Sequence, residues 1–171
     1  RCQEGSASTV QREQGWLDAM AAAPGIVVVS ANQYGGATVE TAYRASENLL
    51  APLKNAQGQL TIDGIFTPNE STTFGMLRAL QDGGHAGRVH FVGFDSSPKL
   101  VEALRNNHID ALVLQNPFAM GYVGVKAIVA HLRGEKVERR IDTGVTLVTA
   151  SIMDRPDIKE LIQPDLAKWL E

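Results

Sequence analysis

The stretch Val89-His-Phe-Val-Gly-Phe-Asp95 decides the fold, because it is a short apolar run that ends in a single charged side chain. Two similar runs occur along the chain: Ile65-Phe66 precedes Asn69, and Ala111-Leu-Val-Leu precedes Gln115. In open α/β sheets, ligands bind outside the carboxyl ends of parallel strands, where loops carry polar groups. We therefore expect Asn69, Asp95 and Gln115 to converge at one sheet edge and to bind a small polar ligand.

Helical patterns alternate with these runs. The periodicity predicts strands over residues 26–31, 65–66, 89–94 and 111–114, each followed by an amphipathic helix. An earlier helix over residues 9–23 is predicted to bury Val10, Leu17 and Met20. Ser97-Pro98 is a typical helix start, and Gly83-Gly84 a typical helix end. This alternation predicts an α/β fold, a parallel sheet with helices on both faces in three α/β/α layers.

The last third of the chain has a different pattern. The predicted helix over residues 117–133 is apolar all round, which indicates burial on more than one side. The predicted strand over residues 145–148 follows it, and short helices are expected after Pro156 and Pro164.

Composition excludes several functional classes. The 171 residues carry a net charge of −3, which gives no electrostatic reason to expect nucleic acid as a partner. No apolar stretch reaches the roughly 18 residues of a membrane span. The histidines and Cys2 are far apart in sequence, so we expect no metal or cofactor site. Cys2 is the only cysteine of the sequence, so no internal disulfide is expected. Neither a Gly-x-Ser-x-Gly elbow nor a phosphate-binding loop occurs, and we expect a binding protein rather than an enzyme.

Five pieces of the sequence, in order, resemble type I periplasmic sugar-binding proteins, the ribose-binding-like receptors of ABC importers. The pieces lie over nearly the whole chain: Gly5 to Trp16, Pro68-Asn69-Glu-Ser, Val92-Gly-Phe-Asp95-Ser-Ser, Leu114-Gln-Asn-Pro117 with Gly121, and Thr143 to Thr149. The resemblance implies a sugar held between two lobes, delivery to a membrane permease, and a periplasmic or extracytoplasmic location. Because Arg1-Cys2 is interpreted as the end of a strand, we expect the chain to be the later part of a longer protein.

The resemblance also implies a division of the chain. Residues 1–115 are expected to form the C-terminal ligand-binding lobe, residues 116–149 to belong to the N-terminal lobe, and residues 150–171 to return to the first lobe. The apolar segment over residues 117–149 would then lack its natural cover, and its strand over residues 145–148 would join a sheet that this chain does not contain. A homodimer through this segment is therefore a further hypothesis.

Sugar hydroxyls donate and accept hydrogen bonds, so the candidate ligands are bifunctional or charged side chains. Arg12 lies in the context that carries the family's ligand-binding arginine; its alternative role is a pair with Glu13 or Glu40. Asn69 and Asp95 are candidate ligands, and their alternative role is helix capping, unless Ser71, Ser96 or Ser97 caps instead. Gln115 is a further candidate ligand, and its alternative role is to bond backbone groups of the hinge. Tyr34 is a candidate stacking ring, and its alternative is an exposed position in the loop.

One rival function shares the fold class. The effector-binding domain of a sugar-responsive LacI-type transcription regulator would have the same lobe with a DNA-binding head upstream. The stretch over residues 141–149 and the tail Pro164-Asp165-Leu166 resemble the importer receptors instead. The expected function is therefore capture of a small sugar for an ABC importer.

Overall fold

The computed structural model describes residues 1–165. The helices are α1 (Ala7–Ala21), α2 (Val39–Leu50), α3 (Glu70–Asp82), α4 (Pro98–Arg105), α5 (Pro117–Leu132) and α6 (Pro156–Ile162). The strands are β1 (Gly64–Phe66), β2 (His90–Phe94), β3 (Ala111–Gln115) and β4 (Val145–Thr149). The alternation of strand and helix from β1 to α5 confirms the α/β prediction, and the helix predicted after Pro164 lies outside the described residues.

Within the described chain, the strands form one sheet in the order β1, β2, β3, β4. The first three strands are parallel, with Ile65 opposite Phe91 and Gly93 opposite Leu112. β4 pairs antiparallel with β3, with Leu112 opposite Val148. The carboxyl ends of β1, β2 and β3 therefore meet at one edge, as the strand and helix alternation predicted.

The hydrophobic core lies between the sheet and the helices packed on it. Its fully buried side chains come from α3, α4, the strands and the connection before β3: Leu77, Leu80, Phe91, Leu100, Leu104, Ile109, Leu112 and Val148. Gly75 lets α3 approach α2 closely, because a Cβ there would lie 2.6 Å from the Cβ of Ala42. This core fixes the positions of the strand ends on which the candidate site is built.

The predicted strand over residues 26–31 does not form. Between residue 27 and residue 34 the described chain makes no backbone to backbone hydrogen bond, and Val27 is 79% exposed. A strand needs a neighbouring edge to pair its N–H and C=O groups. No described strand pairs with this segment, although its residues 29–31 line the same cavity as β1, and residues 26–29 remain exposed.

The prediction for the buried face of α1 is also wrong. Val10 is 39% exposed, whereas Thr9 and Glu13 are the buried residues of this helix. Glu13 turns inward because its carboxylate accepts hydrogen bonds from the Arg1 side chain and from the Cys2 backbone N–H. Two charge-assisted bonds offset the cost of burying this carboxylate.

Two expectations for the last third need correction. The strand Val145–Thr149 forms, but it joins β3 of this chain's own sheet and not a sheet outside it. Its five register pairs with β3 satisfy the backbone groups that face β3, and β4 is itself an edge strand of the described sheet. None of the residues of α5 is buried, although the helix was expected to be covered on more than one side. None of residues 116–144 is buried in the described chain, and the next buried residue is Val148 of β4.

Candidate functional site

The ends of β2 and β3 bring two of the predicted side chains together. Asp95 follows β2, and its backbone N–H donates to the Val113 carbonyl at 2.9 Å. Gln115 is the last residue of β3, and its Nε2 donates to Oδ1 of Asp95 at 2.7 Å. The carboxylate of Asp95 is thus held by the neighbouring strand at the sheet edge, where the sequence predicted the site.

The backbone at Asp95 is unusual for a residue with a side chain. Its φ is +67°, in the left-handed region that favours glycine. Such a conformation costs about 1 kcal/mol or more for most residues, aspartate and asparagine adopt it more readily than others, and it is common at functional sites. Asp95 caps no helix, since Ser97 occupies the N-cap position of α4. The carboxylate, 29% exposed, is therefore free of the alternative role considered for it.

Arg12 extends from α1 to the same edge. Its Nη1 donates to the Pro68 carbonyl at 2.9 Å and lies 4.0 Å from Oδ2 of Asp95. The guanidinium lies over the Phe94 ring, 4.0 Å from the ring centroid. The pair with Glu13 or Glu40 does not form, because Glu13 binds Arg1. Arg12 is thus fixed on three sides with most of its five N–H donors still available.

Asn69 is the N-cap of α3, which was the alternative role considered for it. Its Oδ1 accepts from the backbone N–H and the hydroxyl of Thr72, and its Nδ2 donates to the Ser71 hydroxyl at 3.0 Å. The expectation that Ser71 caps in its place is wrong, because Asn69 itself has the extended N-cap conformation. One Nδ2 hydrogen remains for a ligand.

Tyr34 lies in the loop before α2, beside the Arg1 side chain. The Arg1 guanidinium lies over its ring at 4.7 Å from the centroid, and the residue is 39% exposed. It lines a cavity of about 130 Å³ with Trp16, Phe66 and Thr67, among others. Arg12, Asn69, Asp95 and Gln115 do not line this cavity. Tyr34 as a stacking residue for the same ligand stays a prediction.

Sequence reasoning missed two residues of the site. Phe94 supports the Arg12 guanidinium, and Thr73 of α3 binds the backbone of Phe94 through its hydroxyl. Phe94 was interpreted only as part of an apolar strand, and Thr73 as an ordinary helix position. The sequence held one indication of the role of Phe94, which is its position directly before Asp95. The last residue of a strand lies next to the sheet edge where the site is.

The cluster of Arg12, Asp95 and Gln115 has the chemistry of a polar ligand site. It combines a guanidinium fork, a carboxylate and an amide within hydrogen-bond or ion-pair distance of one another. Neutral molecules with several hydroxyl groups use such donors and acceptors together. Among residues 1–165 no group of three or more His, Cys, Asp or Glu side chains could hold a metal ion.

A family model described as a periplasmic binding protein domain matches residues 3–136, which is most of the chain. Among curated proteins, the ribose import binding protein of Salmonella typhimurium is 34% identical over 87 residues, which cover 51% of this chain and 29% of that protein. The chain thus spans less than a third of the length of this relative.

Two solved structures are similar over most of this chain. The periplasmic component of an ABC-type sugar transport system from Hahella chejuensis matches with a TM-score of 0.79 and 39% identity, covering 87% of this chain and 51% of that one. A carbohydrate transporter solute-binding protein from Agrobacterium radiobacter, in complex with D-arabinose, matches with a TM-score of 0.80 and 34% identity, covering 90% and 50%. The chain therefore corresponds to about half of each of these proteins.

Proposed function

The chain belongs to the periplasmic binding protein domain family of sugar-binding ABC transporter proteins, and we propose that it binds a small sugar through Arg12, Asp95 and Gln115. The observation that carries this proposal is the hydrogen bond from Gln115 to Asp95 beside the Arg12 guanidinium, at the carboxyl ends of adjacent parallel strands. This edge is where open α/β sheets bind ligands.

The geometry leaves bonding capacity for sugar hydroxyls. Oδ1 of Asp95 accepts from Gln115, while Oδ2 is 4.0 Å from Arg12, which is too long for a hydrogen bond. Oδ2 therefore accepts from a sugar hydroxyl, and the Arg12 fork donates to the neighbouring oxygen. Asn69 donates its remaining Nδ2 hydrogen. These charge-assisted bonds are about twice as strong as neutral ones.

The proposed site is one wall of a two-lobed receptor that delivers sugar to an ABC importer permease. In this arrangement residues 1–115, with β4 and the residues after it, form one lobe, and residues 116–144 extend to the other. The exposed apolar side chains of α5, such as Val125 at 63% and Leu132 at 79%, support this division. The relatives are sugar-binding transport proteins, which favours a binding protein over an enzyme and an extracytoplasmic location.

The test is a titration of this chain with D-arabinose and D-ribose, followed by the backbone amide shifts of a ¹⁵N-labelled sample. D-arabinose is the sugar bound by the Agrobacterium radiobacter protein, and the Salmonella typhimurium relative is named for ribose import. We expect shifts at Arg12, Asp95 and Gln115 with a dissociation constant of roughly 1 mM, near −4 kcal/mol, because one wall acts alone.

Two matched variants make the titration specific. Asp95→Asn removes the acceptor charge from the proposed site, whereas Asp18→Asn makes the same change on the exposed part of α1, where the Asp18 carboxylate accepts a hydrogen bond from Gln14. The proposal requires saturable shifts in the wild type and in Asp18→Asn, and their loss in Asp95→Asn. Equal shifts in all three proteins, or none in the wild type at saturating sugar, would refute it.

A further inference from the structure

A buried hydroxyl lies beneath the candidate site. Thr73 of α3 is completely buried, and its Oγ1 lies within hydrogen-bond distance of atoms from three other segments. It contacts the Thr67 hydroxyl at 2.8 Å, the Asn69 carbonyl at 2.8 Å and the Phe94 backbone N–H at 3.0 Å. Thr67 follows β1, Asn69 caps α3, and Phe94 ends β2, so this one atom connects the three elements that surround the site.

The contacts of this hydroxyl use its full capacity. A threonine hydroxyl donates once and accepts twice. It accepts from the Phe94 N–H, and the Asn69 carbonyl at 2.8 Å is a closer acceptor for its proton than the Phe94 carbonyl at 3.3 Å. It also shares a hydrogen bond with the Thr67 hydroxyl, in which either oxygen can be the donor. The bond to Asn69 is a common one for a helical threonine, but the other two join separate elements.

The bond to Phe94 replaces a missing strand partner. β1 and β2 pair as far as the Thr67 N–H, which donates to the Val92 carbonyl at 3.2 Å. The next residue, Pro68, has no N–H, and the chain turns there into α3. Alternate residues of a strand face the same neighbour, so the Phe94 N–H faces the side that β1 has left. Thr73 provides the acceptor at that point.

Gly93 is matched to this contact. A Cβ at Gly93 would lie 2.2 Å from Cγ2 of Thr73, which is far too close for two carbon atoms that are not bonded to each other. The backbone of β2 therefore lies directly on the Thr73 side chain, and only glycine permits that approach.

We propose that Thr73 is a positioning residue for the ligand site, an inference that rests on the proposed sugar-binding function. Through the Phe94 N–H it holds the ring that supports the Arg12 guanidinium, and it sets the backbone from which Asp95 departs with its positive φ. Through the Asn69 carbonyl it holds the start of α3. Three of the proposed ligand residues thus depend on one hydroxyl that touches no ligand.

The experiment compares Thr73→Val, which keeps the shape and removes the hydroxyl, with Thr73→Ser, which keeps the hydroxyl. Thr73→Ala is a second variant without the hydroxyl, should the valine variant fold poorly. Ile109→Val is the stability control, because Ile109 is buried beside the amino end of β3, at the opposite end of the sheet. The amide shifts of Phe94 and Asp95 are recorded without sugar, and D-arabinose and D-ribose are then titrated.

Loss of the hydroxyl is expected to move the Phe94 and Asp95 amides and to weaken sugar binding at least about ten-fold. Thr73→Ser is expected to restore both, and Ile109→Val to change neither. The inference is overturned if the variants without the hydroxyl keep the wild-type amide shifts. It is also overturned if Ile109→Val lowers the melting temperature as much as Thr73→Val does and weakens sugar binding as much. Absence of sugar binding in the wild type would refute the proposed function, and the sugar-free amide shifts would still decide the role of Thr73.

Discussion

Nε2 of Gln115 donates a 2.7 Å hydrogen bond to Oδ1 of Asp95, which joins the ends of two parallel strands through their side chains. The bond orients the carboxylate at the edge of the sheet. It also leaves Oδ2 toward Arg12 as the acceptor for a ligand. Several consequences of this arrangement are measurable.

Replacing Gln115 by Glu would set two carboxylates within hydrogen-bond distance. Because like charges at this distance repel, we expect lower stability and weaker sugar binding at neutral pH. Protonation of one carboxyl relieves the repulsion, so the loss of stability should shrink as the pH falls toward 4. Thermal unfolding of Gln115→Glu from pH 4 to pH 8 measures this. Gln115→Leu is the control, because it removes the hydrogen bond without adding a charge. If the difference in stability between Gln115→Glu and Gln115→Leu does not change with pH, the expectation is contradicted.

The positive φ of Asp95 separates its role in folding from its role in binding. In Asp95→Gly the strain disappears with the carboxylate, so we expect stability to be kept or raised while binding weakens. In Asp95→Ala the strain remains, and we expect a melting temperature below that of the glycine variant, corresponding to about 1 kcal/mol. The lost charge-assisted bonds are worth about 2 to 4 kcal/mol, which is half or more of the roughly −4 kcal/mol expected of this chain, so neither variant should show saturable sugar binding. Thermal unfolding and sugar titration give the two quantities, and an alanine variant as stable as the glycine variant would argue against backbone strain at this position.

His85 gives the stability a defined pH dependence. Its side chain is buried, and Nε2 has no hydrogen-bond partner in the described chain. Burial lowers the pKa of His85, and the positive charges of Lys54 and Arg88 lower it further. A lowered pKa means that the unfolded state takes up the proton first. Stability should therefore be complete above the unfolded pKa of about 6.5 and fall as the pH decreases below it.

The measurement for His85 is the melting temperature from pH 5 to pH 8. His85→Gln should reduce the loss of stability on the acid side. The control is His131→Gln, since His131 lies on the exposed helix α5. If the wild type and His85→Gln lose stability in parallel as the pH decreases, His85 is not the titrating group.

The exposure of α5 predicts tolerance to charge on this helix. Val125→Lys and Leu132→Lys should leave the melting temperature unchanged, because neither residue is buried in the described chain. Self-association through residues 117–149 stays a prediction, and β4 is paired with β3 on one side only. Sedimentation velocity of the two variants and the wild type tests the contribution of α5. A large loss of stability in the lysine variants would mean that α5 packs on the lobe.

The sequence was sufficient to predict the order of strands and helices from β1 to α5, because each strand there is a short apolar run bounded by turn or capping residues. It also predicted that Asp95 and Gln115 converge, since both follow parallel strands. Residues 26–31 have the same apolar pattern, yet they form no strand. Composition predicts the preference for a strand, but pairing depends on a neighbouring edge that no local pattern reveals.

The remaining differences come from contacts between residues far apart in sequence. Burial of Glu13 depends on Arg1 and Cys2, and the support of Arg12 by Phe94 depends on the packing of α1 over the end of β2. Nothing in the local sequence distinguishes Thr73 from other helical threonines, because its bond to Phe94 depends on where β1 turns away at Pro68. Such pairings follow from the tertiary structure, so periodicity and capping signals do not contain them.

The most direct test of the account is a crystal structure of this chain grown with D-arabinose in excess of the expected millimolar dissociation constant. The account predicts sugar bound at the ends of β2 and β3, with one hydroxyl oxygen about 2.7 Å from Oδ2 of Asp95 and another within about 3 Å of the Arg12 guanidinium. Sugar bound only in the cavity beside Trp16 and Tyr34, with the edge of Arg12, Asp95 and Gln115 left to solvent, would contradict it.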